Sequence, residues 1–245
     1  MTEKTLTCVV PARNEAGYLE ELISSILSVK EINEVIIVEG GSSDNTYTVA
    51  SKISDSNPNR DKCVRQSGRG KFNAVLEGFR ISDSDFIMIW DADGTVPVES
   101  TREIILLALE RDCFSMGDRL RGKRETGAMQ LANYFGNWFF AIIWAPINRI
   151  KPTDIFCGTK VFPSGILGGI PDHFVAKDPY GDISFLLAAR ISRIKVSAVP
   201  VTYTSRVYGE SKMRRWKMGY IFMKLSFLSY KETINNQRRS DRVPH

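Results

Sequence analysis

The chain has 245 residues, 43% of them hydrophobic and 25% charged, enough to bury a sizeable core as one domain with appendages. Four cysteines (Cys8, Cys63, Cys113, Cys157) lie far apart without a CxxC pair, and histidine occurs twice, which argues against a zinc site and for reduced thiols in a cytosolic setting. The net charge of +5 is unevenly spread: residues 1–118 carry 12 Lys and Arg against 20 Asp and Glu (−8), and residues 119–245 carry 21 against 8 (+13). A basic second half points to an anionic partner such as phosphate groups, nucleic acid or an anionic membrane face.

Met1-Thr2-Glu3-Lys4 leads directly into Thr5 to Val10, a strand-like run closed by Pro11, with no signal-peptide pattern. Ala12-Arg13-Asn14-Glu15 then precedes a helical pattern with apolar residues at Leu19, Leu22, Ile23, Ile26 and Leu27. Val35 to Val38 reads as a second buried strand, followed by the turn formers Glu39 to Thr46 and a helix through about Ser54. Lys62 to Arg65 suggests a short strand, and Gly68-Arg69-Gly70-Lys71 opens another helix.

Phe86 to Trp90 is an apolar run of strand formers that ends in Asp91-Ala92-Asp93-Gly94, and a helix is expected from about Val98 to Glu110. In extended chain Asp91 and Asp93 would point the same way. Carboxylates so placed repel unless a positive charge sits between them, which suggests a hard divalent cation, Mg²⁺ or Mn²⁺, that also grips a substrate phosphate. Solvated acids in a polar turn are the alternative. Strand and helix alternate through the first half, as in a parallel, doubly wound α/β sheet with helices on both faces. The loops 11–15, 39–46 and 91–95 all fall at carboxyl ends of strands, where such sheets bind ligands.

In the second half, Ser115 to Arg119 resembles a strand entering a basic loop. From Ala128 to Ile150 no charge precedes Arg149, and the aromatics are dense, but the apolar core from Phe135 to Ile147 is interrupted by Asn137 and Pro146. That is short for a membrane span and suits a helix on a membrane interface, or one buried under the core. Asp154 to Phe162 reads as a loop entering a strand, Asp178 to Asp182 precedes an apolar helix, and Lys195 to Tyr203 is a last strand. Residues 1–212 are expected to form the main domain, and 213–245 a basic, aromatic, interfacial segment that frays into a polar tail from Asn235.

Gly68-Arg69-Gly70-Lys71-Phe72 lacks the early Gly and the Ser/Thr of a P-loop, no GxGxxG follows the first strand, and Gly40-Gly41-Ser42-Ser43-Asp44 lacks the second Gly of a nucleophile elbow. Without a reading motif, a nucleic-acid partner is not expected.

Several stretches together resemble family 2, GT-A-fold (nucleotide-diphospho-sugar transferase) glycosyltransferases, and within them the dolichol- and polyprenyl-phosphate sugar synthases, over roughly residues 5–215. Pro11-Ala12-Arg13-Asn14-Glu15 matches P-x-x-N-E, which implies that Pro11, Arg13 and Glu15 line the nucleoside. Ile37 to Thr46 matches the hydrophobic-D-D-G-S-x-D-x-T pattern, with Glu39 and Gly40 in place of the two aspartates, so Ile37 and Glu39 would also lie at the nucleotide. Asp91-Ala92-Asp93 is the D-x-D, implying a cation held by Asp91 and Asp93 on the donor diphosphate, with Thr95 where Gln is often found. Gly117-Asp118-Arg119 resembles G-S/T-R and places Arg119 near a phosphate, while Arg206-x-x-Gly209-Glu210-Ser211-Lys212 matches R-x-x-G-x-S-K and makes Arg206 and Lys212 a clamp. Asp182 corresponds roughly to the base of hydroxyl-using relatives, or else is a first-turn helix acid.

The resemblance implies an inverting, Mg²⁺- or Mn²⁺-dependent enzyme moving a sugar from a GDP- or UDP-sugar to a polyprenyl phosphate, peripheral on the cytoplasmic membrane face, with room for a membrane-protein partner. A saccharide hydroxyl as acceptor, and a non-catalytic binding protein on the same fold, are the alternatives.

Overall fold

A computed structural model describes residues 4–206 and 215–240. Seven strands form one sheet: β1 (Leu6–Ala12), β2 (Glu34–Glu39), β3 (Asp61–Arg65), β4 (Phe86–Ile89), β5 (Phe114–Asp118), β6 (Lys160–Pro163) and β7 (Val196–Pro200). Their order is β3-β2-β1-β4-β6-β5-β7. All pairings are parallel except those of β6, which runs antiparallel to both β4 and β5. The expected α/β sheet is thus present and mostly parallel, with one reversed strand that the periodicity of 154–162 does not reveal.

Side-chain alternation along the strands divides the core in two. Val9, Ile36, Val38, Ile87 and Ile89 face one layer, built by α3 (Lys71–Arg80), α5 (Leu131–Asn148), α7 (Asp182–Ile191) and α8 (Arg215–Ser240). Cys8, Val10, Val35, Ile37 and Met88 face the other, covered by α1 (Leu19–Leu27), α2 (Thr46–Ser56) and α4 (Arg102–Arg111). In α1 the apolar set Leu19, Leu22, Ile23 and Ile26 is buried, as its helical spacing requires. The helix expected from Val98 begins as a 3-10 turn, Val98–Ser100, and becomes α4 at Arg102. The remaining helix, α6 (Asp172–Val175), is a single turn.

The two aromatic helices of the second half, α5 and α8, lie against each other. Trp144 is fully buried and its Nε1 donates to Ser226 Oγ at 2.8 Å. Met218, Phe222 and Leu225 anchor α8 in the core, each burial contributing about 1.5–3 kcal/mol. α8 runs on to Ser240, past the point where a frayed polar tail is expected. Both helices leave an apolar stripe outside. On α5 it comprises Leu131, Phe135, Phe139 and Ile142, and on α8 Tyr220, Met223, Phe227 and Tyr230. Spacings of three and four keep each set on one helical face. Among the described residues no helix is long and apolar enough to cross a membrane.

Candidate active site

A cavity of about 1300 Å³ opens at the carboxyl ends of β1, β2 and β4 and extends along α5 and α8. Two loops build its first wall by bonding to each other. Asn14 takes a left-handed conformation (φ 58°) and accepts from Ser43 N at 2.9 Å through Oδ1, while its own N–H donates to Ser42 Oγ at 3.0 Å. Glu15 N donates to Thr46 Oγ1 at 2.9 Å, and Asp44 accepts from Ala16 N at 3.3 Å. These contacts explain why an N-E pair and an S-x-D-x-T run occur together, and they fix Arg13 and Glu15 at the cavity edge.

The two acids after β4 both face the cavity while Ala92 between them faces the opposite core, as expected, although the strand itself ends before them. β4 stops at Ile89 and Trp90 is buried, so Asp91 and Asp93 leave from a turn. Each has a cation of its own. Lys71 Nζ, at the start of α3, lies 2.5 Å from Asp91 Oδ1. Arg206 Nη2 lies 2.8 Å from Asp93 Oδ2, and its Nη1 lies 3.2 Å from Glu15 Oε1. Burial works against ionisation of Asp91, but the Lys71 ammonium outweighs it and holds the carboxyl below the usual range. Burial likewise disfavours charged Lys71, yet Asp91 and then Asp182 raise its pKa above the ordinary value. Thr95 donates to Asp93 Oδ1 through N (3.2 Å) and Oγ1 (2.8 Å), so its hydroxyl orients Asp93.

The described residues hold no group of three or more His, Cys, Asp or Glu arranged for a metal. The donor set still fits Mg²⁺ or Mn²⁺, which are held by one or two carboxylates with substrate phosphates and waters completing the shell. Two local features agree with that. The cations now on Asp91 and Asp93 mark both carboxylates as sites for positive charge. A Cβ at Gly158 would collide with the Asp91 carboxylate, so this glycine keeps the space beside it open.

Deeper in the cavity, Arg119 grips Asp154 with two bonds, Nε to Oδ2 at 2.5 Å and Nη2 to Oδ1 at 3.1 Å, and its guanidinium lies 5.0 Å from the Tyr203 ring centroid. Asp154 is fully buried, and this pairing overcomes burial to raise the Arg119 pKa further. Lys160, 1% exposed, ion-pairs with Asp182 Oδ1 at 2.5 Å and also donates to Cys157 O. Asp182 is the first residue of α7, so it is both a first-turn acid and a cavity-lining one. Asp178 caps the same helix, accepting from Gly181 N and Ser184 N, both at 2.9 Å. Burial pushes the Cys157 thiol up to about 11, which keeps it protonated at neutral pH.

Of the residues expected at the site, Pro11, Arg13, Glu15, Asp91, Asp93, Arg119, Asp182 and Arg206 line this one cavity. Three others stand elsewhere. Ile37 points to the α1–α2 side of the sheet because it is out of phase with Val38, which does line the cavity. Ala92 packs into the same opposite core. Glu39 is buried, with Oε1 accepting from Ser42 N at 2.5 Å, so it braces its own loop. Lys212 lies outside the described residues. Lys71, Asp154, Gly158 and Lys160 complete the constellation without having been expected. The only hint of Lys71 is its place after Gly68-Arg69-Gly70, a glycine-flanked basic turn opening a helix.

The sequence model of glycosyl transferase family 2 matches residues 7–167. The chain is 26% identical to a dolichyl-phosphate beta-glucosyltransferase of Trichomonas vaginalis, with 87% of this chain and 67% of that protein covered. It is 21% identical to the UDP-N-acetylglucosamine–dolichyl-phosphate N-acetylglucosaminyltransferase of Methanococcus voltae, covering 96% and 100%. In fold it is similar to the glucosyl-3-phosphoglycerate synthase of Mycobacterium tuberculosis in complex with Mn²⁺ and UDP-glucose, with a TM-score of 0.67, 17% identity, and 92% and 78% of the two chains covered.

Proposed function

The chain belongs to glycosyl transferase family 2, and on that premise we propose that it transfers a sugar, with inversion, from a UDP- or GDP-sugar to a polyprenyl phosphate at the cytoplasmic face of a membrane. It is a glycosyltransferase. The observation that carries the finer reading is the composition of one cavity: a charged floor of Asp91, Asp93, Lys71 and Arg206 under walls from α5 and α8, whose outer stripes are apolar. A lipid carrying a phosphate needs both surfaces in continuity. UDP-sugars are the first donors to test, because the Methanococcus voltae relative is named for one.

In this reading Arg13 and Glu15 border the nucleoside, and Lys71 and Arg206 turn from their carboxylates to the diphosphate oxygens. Asp91 and Asp93 would hold the Mg²⁺ or Mn²⁺, which supplies Lewis-acid neutralisation of the leaving diphosphate. An acceptor phosphate oxygen attacks the anomeric carbon from the opposite face, and the carbon–oxygen bond to the diphosphate breaks with its electron pair. Cations preorganised around that diphosphate favour the transition state over the ground state.

Asp182 bears on the acceptor. Its Oδ1 is engaged by the buried Lys160 ammonium, and that oxygen is not open to a hydroxyl proton. A phosphate acceptor is already ionised near neutral pH and requires no base. Product analysis separates the two acceptors. With radiolabelled UDP-glucose or UDP-N-acetylglucosamine, Mn²⁺ and a polyprenyl phosphate, label should enter organic solvent in an acid-labile linkage. Label appearing only in a water-soluble saccharide would overturn the lipid acceptor.

A further inference from the structure

A second cavity, of about 600 Å³, lies at the far ends of α5 and α7, away from the carboxyl ends of the strands. It is lined by Arg149, Arg190, Arg193 and Lys195, and no carboxylate among the described residues lines it. We propose that this cavity is a binding site for a phosphate group, separate from the catalytic one.

Arg149, Arg190 and Lys195 at one cavity repel each other and call for an anion unless solvent screens them fully. Here the screening is incomplete. Arg190 is half-buried, and its Nε has no hydrogen-bond partner among the described residues. Burial, then Arg149 and Arg193, lower its pKa below the usual value, so the Arg190 guanidinium sits in an unfavourable field. An independent observation comes from Asn148. It is 8% exposed, it lines the cavity, and neither its Nδ2 nor its Oδ1 has a partner among the described residues. A buried amide left unpaired costs about 1–3 kcal/mol, and an oxyanion would accept from its NH₂. Asn236 and Gln237 of α8 line the same cavity and add amide donors.

The backbone points the same way. Arg149 (φ 56°) and Arg193 (φ 58°) both adopt the left-handed conformation, one at the C-terminus of α5 and the other just past α7. Glycine is the usual residue at such helix ends, and an L side chain there costs about 1–2 kcal/mol. The carbonyl dipoles of the two helix ends attract cations but supply only about half a charge each, less than Arg149, Arg190 and Lys195 carry together. A phosphate, with several acceptor oxygens in a compact volume, matches forked guanidinium donors better than a chloride or a carboxylate does.

α5 joins this cavity to the catalytic one, since Asn133 lines the first and Asn148 the second. Fifteen residues of helix separate them by about 22 Å. The phosphate could therefore come from an anionic lipid headgroup lying along the α5–α8 face or from a soluble phosphate compound.

The test uses the full chain and inorganic phosphate in calorimetric titration at low ionic strength. Saturable binding is expected in the wild type and equally in Arg206→Gln, whose change lies in the catalytic cavity. The double variant Arg149→Gln/Arg190→Gln should bind at least about tenfold more weakly, the loss expected for charge-assisted bonds. Should that variant not fold by circular dichroism, Lys195→Gln, at an exposed position, should still weaken binding measurably. No saturable binding in the wild type, or binding lost in Arg206→Gln and kept in the cavity variants, overturns the site. Co-sedimentation with phosphatidylcholine vesicles with and without phosphatidic acid then assigns the source. A phosphatidic-acid-dependent gain that the double variant loses identifies a lipid headgroup. Unchanged co-sedimentation alongside lost phosphate binding identifies a soluble ligand.

Discussion

Lys71 Nζ lies 2.5 Å from Asp91 Oδ1, so the first residue of α3 neutralises the first acid after β4. The two belong to units consecutive in the chain, and the pair ties the start of α3 to the loop after β4.

Lys71→Met should therefore lower stability by about 1–2 kcal/mol, a discounted figure because both side chains keep some solvent contact. The pH dependence has two limbs. Asp91 has a lowered folded pKa, so its contribution is present above the unfolded value of about 3.9 and lost as pH falls through the lower folded value. Lys71 has a raised one, so its contribution is present below about 10.4 and lost as pH rises through the higher folded value. Thermal melts of wild type and variant between those limits should differ by a constant amount, with the gap closing in acid. Identical melts at pH 7 would show the pair to be energetically silent.

Breaking the Lys160–Asp182 pair from one side should cost more, about 3–5 kcal/mol, because it strands a buried charge. Replacing both, as Lys160→Met/Asp182→Leu, should recover most of that loss in urea unfolding. The opposite ordering, with the double variant the least stable, would mean the pair is held by partners beyond each other.

Gly158→Ala is expected to fold and to lose turnover by about a hundredfold, since the new methyl must push the Asp91 carboxylate aside by more than about an ångström. Its readout besides activity is Mn²⁺ affinity measured by electron paramagnetic resonance, which should fall in parallel. Wild-type affinity and turnover together would show that the space beside Asp91 is not used.

Phe135→Ser/Phe227→Ser removes two exposed aromatics from the α5 and α8 stripes. Stability should move by less than about 0.5 kcal/mol per site, since neither ring is in the core. Association with phosphatidylcholine vesicles should weaken, as should transfer to a long-chain lipid phosphate, while UDP binding stays unchanged. Equal loss with a water-soluble short-chain phosphate acceptor would place the effect inside the cavity instead.

Much of the fold was legible because each early unit switches cleanly from an apolar run to a 3.6-residue pattern, as in Val35–Val38 followed by the Glu39–Thr46 loop. The site was legible where two short motifs imply each other, as with Asn14 and Glu15 and the Ser42–Thr46 run that they bond. It was not legible where partners meet across the sequence. Nothing near Asp91 announces Lys71, and nothing near Asp182 announces Lys160, because those pairings are set by how α3 and β6 pack on the sheet. The alternation argument for Asp91 and Asp93 held in its outcome, since both line the cavity while Ala92 faces the opposite core, although β4 ends two residues before the first of them. Ile37 was misplaced by one residue of strand phase, which moves a side chain to the opposite face.

The reversed direction of β6 has a consequence for how the molecule assembles. Residues 6–89 supply β1 to β4, which pair with one another in parallel. The rest of the sheet joins through β6 on β4, an antiparallel ladder from Phe86 opposite Pro163 to Ile89 opposite Lys160. Until it forms, the early half carries Asp91 and Asp93 on its rim without Arg206, and its charge is negative, whereas the arriving half is strongly basic. The lopsided charge of the chain would draw the late half towards Asp93, the acid that Arg206 pairs with in the finished fold.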